Sequence, residues 1–108
     1  MEHSQSVANL DTLSTIARNP KLAKSIIKSA EETLIDAITE CALQIVSGTV
    51  KVTEKSAAER VKQVLPFIKF LSKKKVSNRR KRSFLVKYGA KVLSIFLPPV
   101  ISYITSNL

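Results

Sequence analysis

Residues 30–46 read AEETLIDAITECALQIV and carry the longest apolar stripe in the chain. Apolar side chains at helical spacing predict one buried face, and here they are Leu34, Ile35, Ile38, Cys41, Ala42 and Ile45. Ser29 and Glu32 match a capping box, in which each side chain satisfies an open backbone amide at a helix start. Gly48 stands just past the other end, where helices commonly terminate. We predict that this stretch is the core helix.

Two shorter helices are predicted before the core helix. The first spans residues 7–17, where apolar side chains again recur at helical spacing. Pro20 should start the second, over residues 20–28, because proline suits the first helical position. Residues 1–6 are polar, and we expect them to form a flexible N-terminus.

After the core helix, residues 50–52 are interpreted as a linker, since a strand there would have no evident partner. Thr53 is predicted to cap a fourth helix that runs to about Leu71. Pro66 lies inside that helix, lacks an amide hydrogen and clashes with the preceding turn. We therefore expect a kink or a break near Leu65.

A fifth helix is predicted from a cap at Ser77-Asn78 to about Tyr88, ended by Gly89. Its apolar residues lie only in its second half, so the first half should project as a charged, exposed arm. The remaining tail should divide at Pro98-Pro99 into two short apolar pieces. The predicted fold class is all-α, a small bundle of about five short helices with a basic helical arm and an apolar C-terminal tail. The predicted divisions are a flexible segment 1–6, a helical domain 7–71, a basic segment 72–91 and an apolar segment 92–108.

Charge is distributed unevenly in this chain of 108 residues, whose formal net charge is +10. Residues 1–59 contain six Lys and Arg against eight Asp and Glu, whereas residues 60–108 contain twelve Lys and Arg and no acidic residue. Such a cationic surface needs an anionic partner or full hydration, and we predict nucleic acid. The candidate binding residues are Lys73, Lys74, Lys75, Arg79, Arg80, Lys81, Arg82, Lys87 and Lys91.

The basic run favours phosphate contacts over base reading, because its charge wraps around the predicted helix. Single-strand binding would need aromatic residues among the cations, yet Phe84 and Tyr88 follow the run and are interpreted as packing residues. A solvated charge run and a nuclear-import signal remain as alternatives. The choice between DNA and RNA stays open, with duplex DNA favoured.

The apolar tail permits two interpretations, a core element or a segment that contacts an anionic membrane surface. Residues 92–104 would reach about 20 Å as a helix, short of the roughly 30 Å of a hydrocarbon core. We therefore expect no bilayer-spanning helix. The residues concerned are Leu93, Ile95, Phe96, Leu97, Ile101 and Ile104.

No catalytic, metal-binding or cofactor-binding residues are expected. Asp36 and Glu40 have helical spacing but no nucleophile, ligand cluster or phosphate loop beside them. The single cysteine, Cys41, lies on the apolar face of the core helix and excludes an internal disulfide. The polar start does not resemble a secretory signal, so we expect an intracellular protein.

The order of motifs resembles a known family. The segments are ECALQIVSG at 40–48, LSKKKVS at 71–77 and RRKRSFLV at 79–86, followed by Gly89 and a tail rich in Leu and Pro. Over about Leu10 to Ile104, this order is similar to small basic proteins of adintoviruses and related Polinton (Maverick) elements, which have been likened to adenovirus core protein X, the precursor of the genome-condensing mu peptide. The resemblance implies a DNA-associated protein of the virion and host nucleus.

The leading expectation is therefore non-enzymatic, sequence-independent binding and condensation of viral double-stranded DNA. One alternative is a membrane-active, capsid-associated protein that acts through the apolar tail. Another is a helical interaction module whose basic run is only an import signal. Contacts with a capsid protein or with a second copy of the chain are compatible with each of these functions.

Overall fold

The computed structural model describes the backbone of residues 3–106 and the side chains of residues 11–19 and 21–106. Within those residues the chain forms only helices, which confirms the predicted all-α class. Of the predicted flexible segment, residues 1–2 lie outside the described residues and the other four belong to the first helix. The helices are α1 (His3–Arg18), α2 (Pro20–Lys28), α3 (Glu32–Val46), α4 (Lys55–Ser72) and α5 (Asn78–Ser106).

The predicted core helix corresponds to α3. Seven of its fifteen residues are buried, against five of eighteen in α4 and eight of twenty-nine in α5. Gly48 follows α3 as predicted, with a φ of 81°, and its amide donates to the carbonyl of Ile45 at 3.2 Å. Glycine is favoured at this position because side chains disfavour positive φ.

Two predicted helix caps are wrong. Ser29 does not cap α3, because α2 continues to Lys28 and the Ser29 hydroxyl donates back to the carbonyl of Ser25 at 3.3 Å. Thr53 does not cap α4, since Glu54 takes that position and its carboxylate accepts hydrogen bonds from the Ser56 and Ala57 amides. The Ser56 hydroxyl also donates to this carboxylate. Its hydrogen bond, followed by those from the Ala57 and Ser56 amides, lowers the pKa of Glu54.

The α4 helix is continuous through Pro66, so the predicted break near Leu65 is wrong. Pro66 is exposed, whereas Val64, Ile68 and Leu71 are buried on the inner face. Packing of that face offsets the unfavourable local effect of the proline. The preceding residues 50–52 are not a strand, which agrees with the predicted linker.

The largest difference concerns α5, which runs unbroken through Gly89 and Pro98-Pro99. It contacts all four other helices, with its most extensive contacts to α1 and α2. The tail is therefore a core element, as one of the two interpretations held. The buried apolar side chains of α5 are Leu85, Val92, Leu93, Phe96, Leu97 and Val100.

Candidate nucleic-acid interface

The predicted basic segment forms the loop between α4 and α5 and the first half of α5. Of the predicted cap pair Ser77-Asn78, Ser77 caps α5, because its hydroxyl oxygen accepts a hydrogen bond from the Arg80 amide at 3.2 Å. Most of the predicted phosphate-binding side chains are exposed. The exposed ones are Lys73, Lys74, Lys75, Arg79, Arg80, Lys87 and Lys91.

The basic segment does not project as a free arm, because α3 holds it through an acidic stripe. Glu32, Asp36 and Glu40 recur every four residues and so share one side of α3. The side-chain amide of Asn78 donates to Glu32 Oε2 at 2.6 Å and to Asp36 Oδ1 at 2.9 Å. Lys74 Nζ lies 3.4 Å from Glu40 Oε1. The spacing of these acidic residues was visible in the sequence, but their contacts with Asn78 and Lys74 were not.

Lys81 lies inside the protein, although it belongs to the densest part of the basic run. Lys81 is only 2% exposed, and its Nζ donates a hydrogen bond to Thr39 Oγ1 at 2.8 Å. Burial lowers the pKa of Lys81, and the nearby Asp36 opposes that shift. Lys81 lines a cavity of about 450 Å³ between α3 and the loop. In this fold its ammonium group is directed to α3 and away from an external phosphate.

Arg82 also has a structural role. Its Nη1 donates at 2.8 Å to the carbonyl of Ile27, near the C-terminal end of α2, where a helix carries partial negative charge. Its Nη2 lies 3.8 Å from Glu32 Oε1, and its side chain is 26% exposed. Arg82 therefore links three helices.

Six of the nine candidate cations remain exposed with no acidic group within ion-pair distance among the described residues. We call these six residues the cationic surface. Arg80 lies over the Phe70 ring, 5.9 Å from its centroid. The six are Lys73, Lys75, Arg79, Arg80, Lys87 and Lys91.

The six predicted tail residues face mainly inward. Leu93, Phe96 and Leu97 are fully buried, and the other three, which pack partly buried against the core, are Ile95, Ile101 and Ile104. The prolines do not interrupt α5, so the helix is 29 residues long. By length and composition it could cross a membrane, whereas a helix over residues 92–104 alone was expected to be too short. A core helix of a soluble protein passes the same test.

Sequence reasoning missed an aromatic cluster between α4 and α5. Phe84 lies at its centre, with ring centroids 5.5 Å from Phe67, 5.4 Å from Phe70 and 5.7 Å from Tyr88. Phe84 is a packing residue as predicted, but Tyr88 is 64% exposed. The helical spacing of the aromatic residues within each helix was visible in the sequence. The packing of α4 against α5 was not.

Cys41 is buried, as predicted, and burial raises the pKa of its thiol to about 12, with a smaller effect from Glu40. Such a thiol is a poor nucleophile at neutral pH. Among the side chains that the structure describes, no group of His, Cys, Asp and Glu has the arrangement of a metal site. Comparison of the chain with protein-family models, curated proteins and solved structures gives no match.

Proposed function

We propose that this protein binds duplex nucleic acid, with DNA favoured, and condenses it without sequence preference. The proposed setting is a virion core or the host nucleus, and no catalytic step is involved. The observation that carries the proposal is the cationic surface, six exposed side chains without acidic partners in the described part of the chain. Lys and Arg side chains that neutralise phosphates release condensed counterions, which supplies the free energy of non-specific binding.

Sequence-independent binding is supported by how α5 is held. Leu85 and Lys81 are buried against the rest of the protein, so only the outer face of the first turns of α5, which carries Arg79 and Arg80, can contact DNA. Lys73 and Lys75 lie in the loop before α5, where long side chains suit phosphates and not base edges. Phosphate contacts carry no direct sequence information.

The test is a titration of labelled duplex DNA by fluorescence anisotropy over a series of salt concentrations. If the six cations each neutralise one phosphate, the slope of log K against log salt should be about −5, from roughly −0.9 per phosphate. Replacing Lys73, Lys75, Arg79 and Arg80 by Gln should flatten that slope by about 3 to 4. Unrelated duplexes of equal length should compete equally.

The matched control replaces Lys21, Lys24, Lys28 and Lys55 by Gln. These lysines are also exposed, so the net charge changes by the same amount at a different place. The control should keep most of the parental slope. Equal flattening in both variants would refute a defined binding surface, and a folded first variant with the parental slope would refute the proposed site.

The membrane-active alternative is kept for one observation, the length and apolar composition of α5. Its core side chains Leu93, Phe96 and Leu97 are buried, so membrane insertion would require the bundle to open. Leakage of dye from anionic vesicles, without salt-dependent DNA binding, would favour this alternative. Nuclear accumulation of a fusion protein that binds no DNA would favour an interaction module with an import signal.

A further inference from the structure

A groove of about 650 Å³ lies between α4 and α5, beside the cationic surface. It combines aromatic, apolar and cationic groups from two helices that are separated in sequence by a loop. The residues that line it are Gln63, Val64, Phe67, Phe84, Tyr88, Lys91 and Val92.

Two aromatic rings of this groove face solvent. Phe67 is 44% exposed and Tyr88 is 64% exposed, while the half-buried Phe84 between them supports both rings. A small protein gains stability by burying its aromatic side chains. Exposed rings held at a groove are therefore available for stacking with a partner, since their positions are already fixed by Phe84.

The surroundings of the groove are cationic. Arg80 stacks on Phe70 at one end of the aromatic cluster, and Lys91 lines the groove itself. Residues 60–108, which include most of α4 and all of α5, contain no acidic residue. The acid of α4, Glu59, lies four residues before Gln63 and does not line the groove. The groove therefore favours a flat, apolar group attached to an anionic chain, and it adjoins the proposed phosphate-binding surface through Arg80 and Lys91.

We propose that this groove binds unpaired bases of single-stranded nucleic acid, with one base stacked on Tyr88, a neighbouring base against Phe67, and the adjoining phosphates near Arg80 and Lys91. Aromatic side chains stack with bases of any identity because every base has a flat π-face. Bases inside a duplex are already stacked and paired, so they do not reach the groove. The inference rests on the proposed nucleic-acid function and adds a second class of substrate, single-stranded ends or gaps.

The experiment compares three labelled probes of equal length by anisotropy: oligothymidine of about 20 nucleotides, the corresponding abasic strand and a duplex. Tyr88→Ala should weaken oligothymidine binding by about 5- to 150-fold, which corresponds to the loss of one stacked base. Binding of the abasic strand and of the duplex should change by less than about twofold. Tyr88→Phe keeps the ring and should retain the parental affinity.

A spectroscopic measurement tests the same contact directly. The chain contains two tyrosines and no tryptophan, so in a Tyr103→Phe background Tyr88 is the source of tyrosine emission. Oligothymidine should quench this emission and the abasic strand should not. Phe67→Leu, which keeps an apolar side chain at the groove edge, should reduce both the quenching and the affinity.

Equal affinity for oligothymidine and the abasic strand would overturn the inference, as would unchanged oligothymidine binding by Tyr88→Ala. If Tyr88→Ala instead converts a dimer to a monomer in sedimentation, the groove is occupied by a second copy and the inference fails. If salt-dependent duplex binding persists in these cases, the proposed duplex-binding function is retained and only the single-strand inference is refuted. Absence of duplex binding at low salt would refute the proposed function itself.

Discussion

At the scale of single residues, Lys81 differs most from its sequence context. Six neighbouring cations lie in the loop or on the surface of α5, whereas the Lys81 side chain passes inward to Thr39. Its hydrogen-bond partner is neutral, so desolvation of the ammonium group is only partly compensated and its pKa is lowered. The local charge density of the basic run does not indicate which of its members is buried.

Lys81→Met should raise the free energy of unfolding by about 1 to 3 kcal/mol at neutral pH, because an apolar side chain of similar length avoids that desolvation. The parent should also gain stability as pH rises from the lowered folded-state pKa of Lys81 toward 10.5, the ordinary lysine value. In that window the unfolded chain holds a proton that the folded chain has lost. Urea denaturation at neutral and alkaline pH measures both effects.

The control for this substitution is Lys87→Met on the exposed side of the same helix. It should leave the difference between neutral and alkaline stability as in the parent. If Lys81→Met also keeps the parental pH dependence, the Lys81 ammonium group is solvated in the folded protein and its assigned structural role is wrong.

At the scale of elements, α5 shows how tertiary packing overrides local signals. Glycine costs about 1 kcal/mol and proline about 3 kcal/mol in a helix interior, and α5 contains Gly89 and two prolines. Pro98 is exposed, while Phe96 and Leu97 just before it are fully buried. Fully burying one large apolar side chain contributes about 1.5 to 3 kcal/mol, so a few such contacts offset the local penalties.

Pro98→Ala should therefore raise the free energy of unfolding by about 1 to 3 kcal/mol, since it restores a backbone hydrogen bond and removes no buried contact.

Gly89→Ala should have the opposite effect and lower the free energy of unfolding, despite the better helix propensity of alanine. The added Cβ would lie 2.8 Å from Leu85 Cδ2, and Leu85 is buried with little room to move. Chemical denaturation of the two variants checks the signs, and stabilisation by Gly89→Ala would contradict the packing at this position.

At the scale of the whole molecule, α5 serves as both a core element and the carrier of the basic residues. It contacts all four other helices, and the acidic stripe of α3 fixes its beginning through Asn78. Cationic side chains without such partners are left on the outside. The fold thus separates the basic run into members that hold the helices together and members that are free to contact phosphates.

Deletion of residues 92–108 should abolish cooperative thermal unfolding. The deletion removes five buried apolar side chains from a domain whose total stability is on the order of 5 to 15 kcal/mol. Circular dichroism during a thermal melt measures the loss. A truncated chain that melts like the parent but no longer binds anionic vesicles would contradict the core role of the tail and favour membrane contact. The side chains removed from the core are Val92, Leu93, Phe96, Leu97 and Val100.

The sequence by itself determined the features that depend on short-range patterns. Apolar periodicity predicted the first four helices, and the bounds of α2 agree with the prediction. The fifth helix was predicted only to about Tyr88, whereas α5 continues to Ser106. Gly48 and the Ser77 cap were identified correctly, because a positive φ and an open helical amide each have strong local residue preferences. The uneven distribution of charge follows from the order of the residues and does not depend on the fold.

Only the tertiary structure decided whether Gly89 and the two prolines end a helix, which cations are buried and where the aromatic groove lies. Asn78 contacts Glu32 across 46 positions and Lys81 contacts Thr39 across 42. Such contacts join segments whose proximity no local pattern specifies. The packing of α5 against the other four helices buries Leu93, Phe96 and Leu97. Burial of these apolar side chains outweighs local propensities of about 1 to 3 kcal/mol, which is why Gly89 and the two prolines do not end the helix.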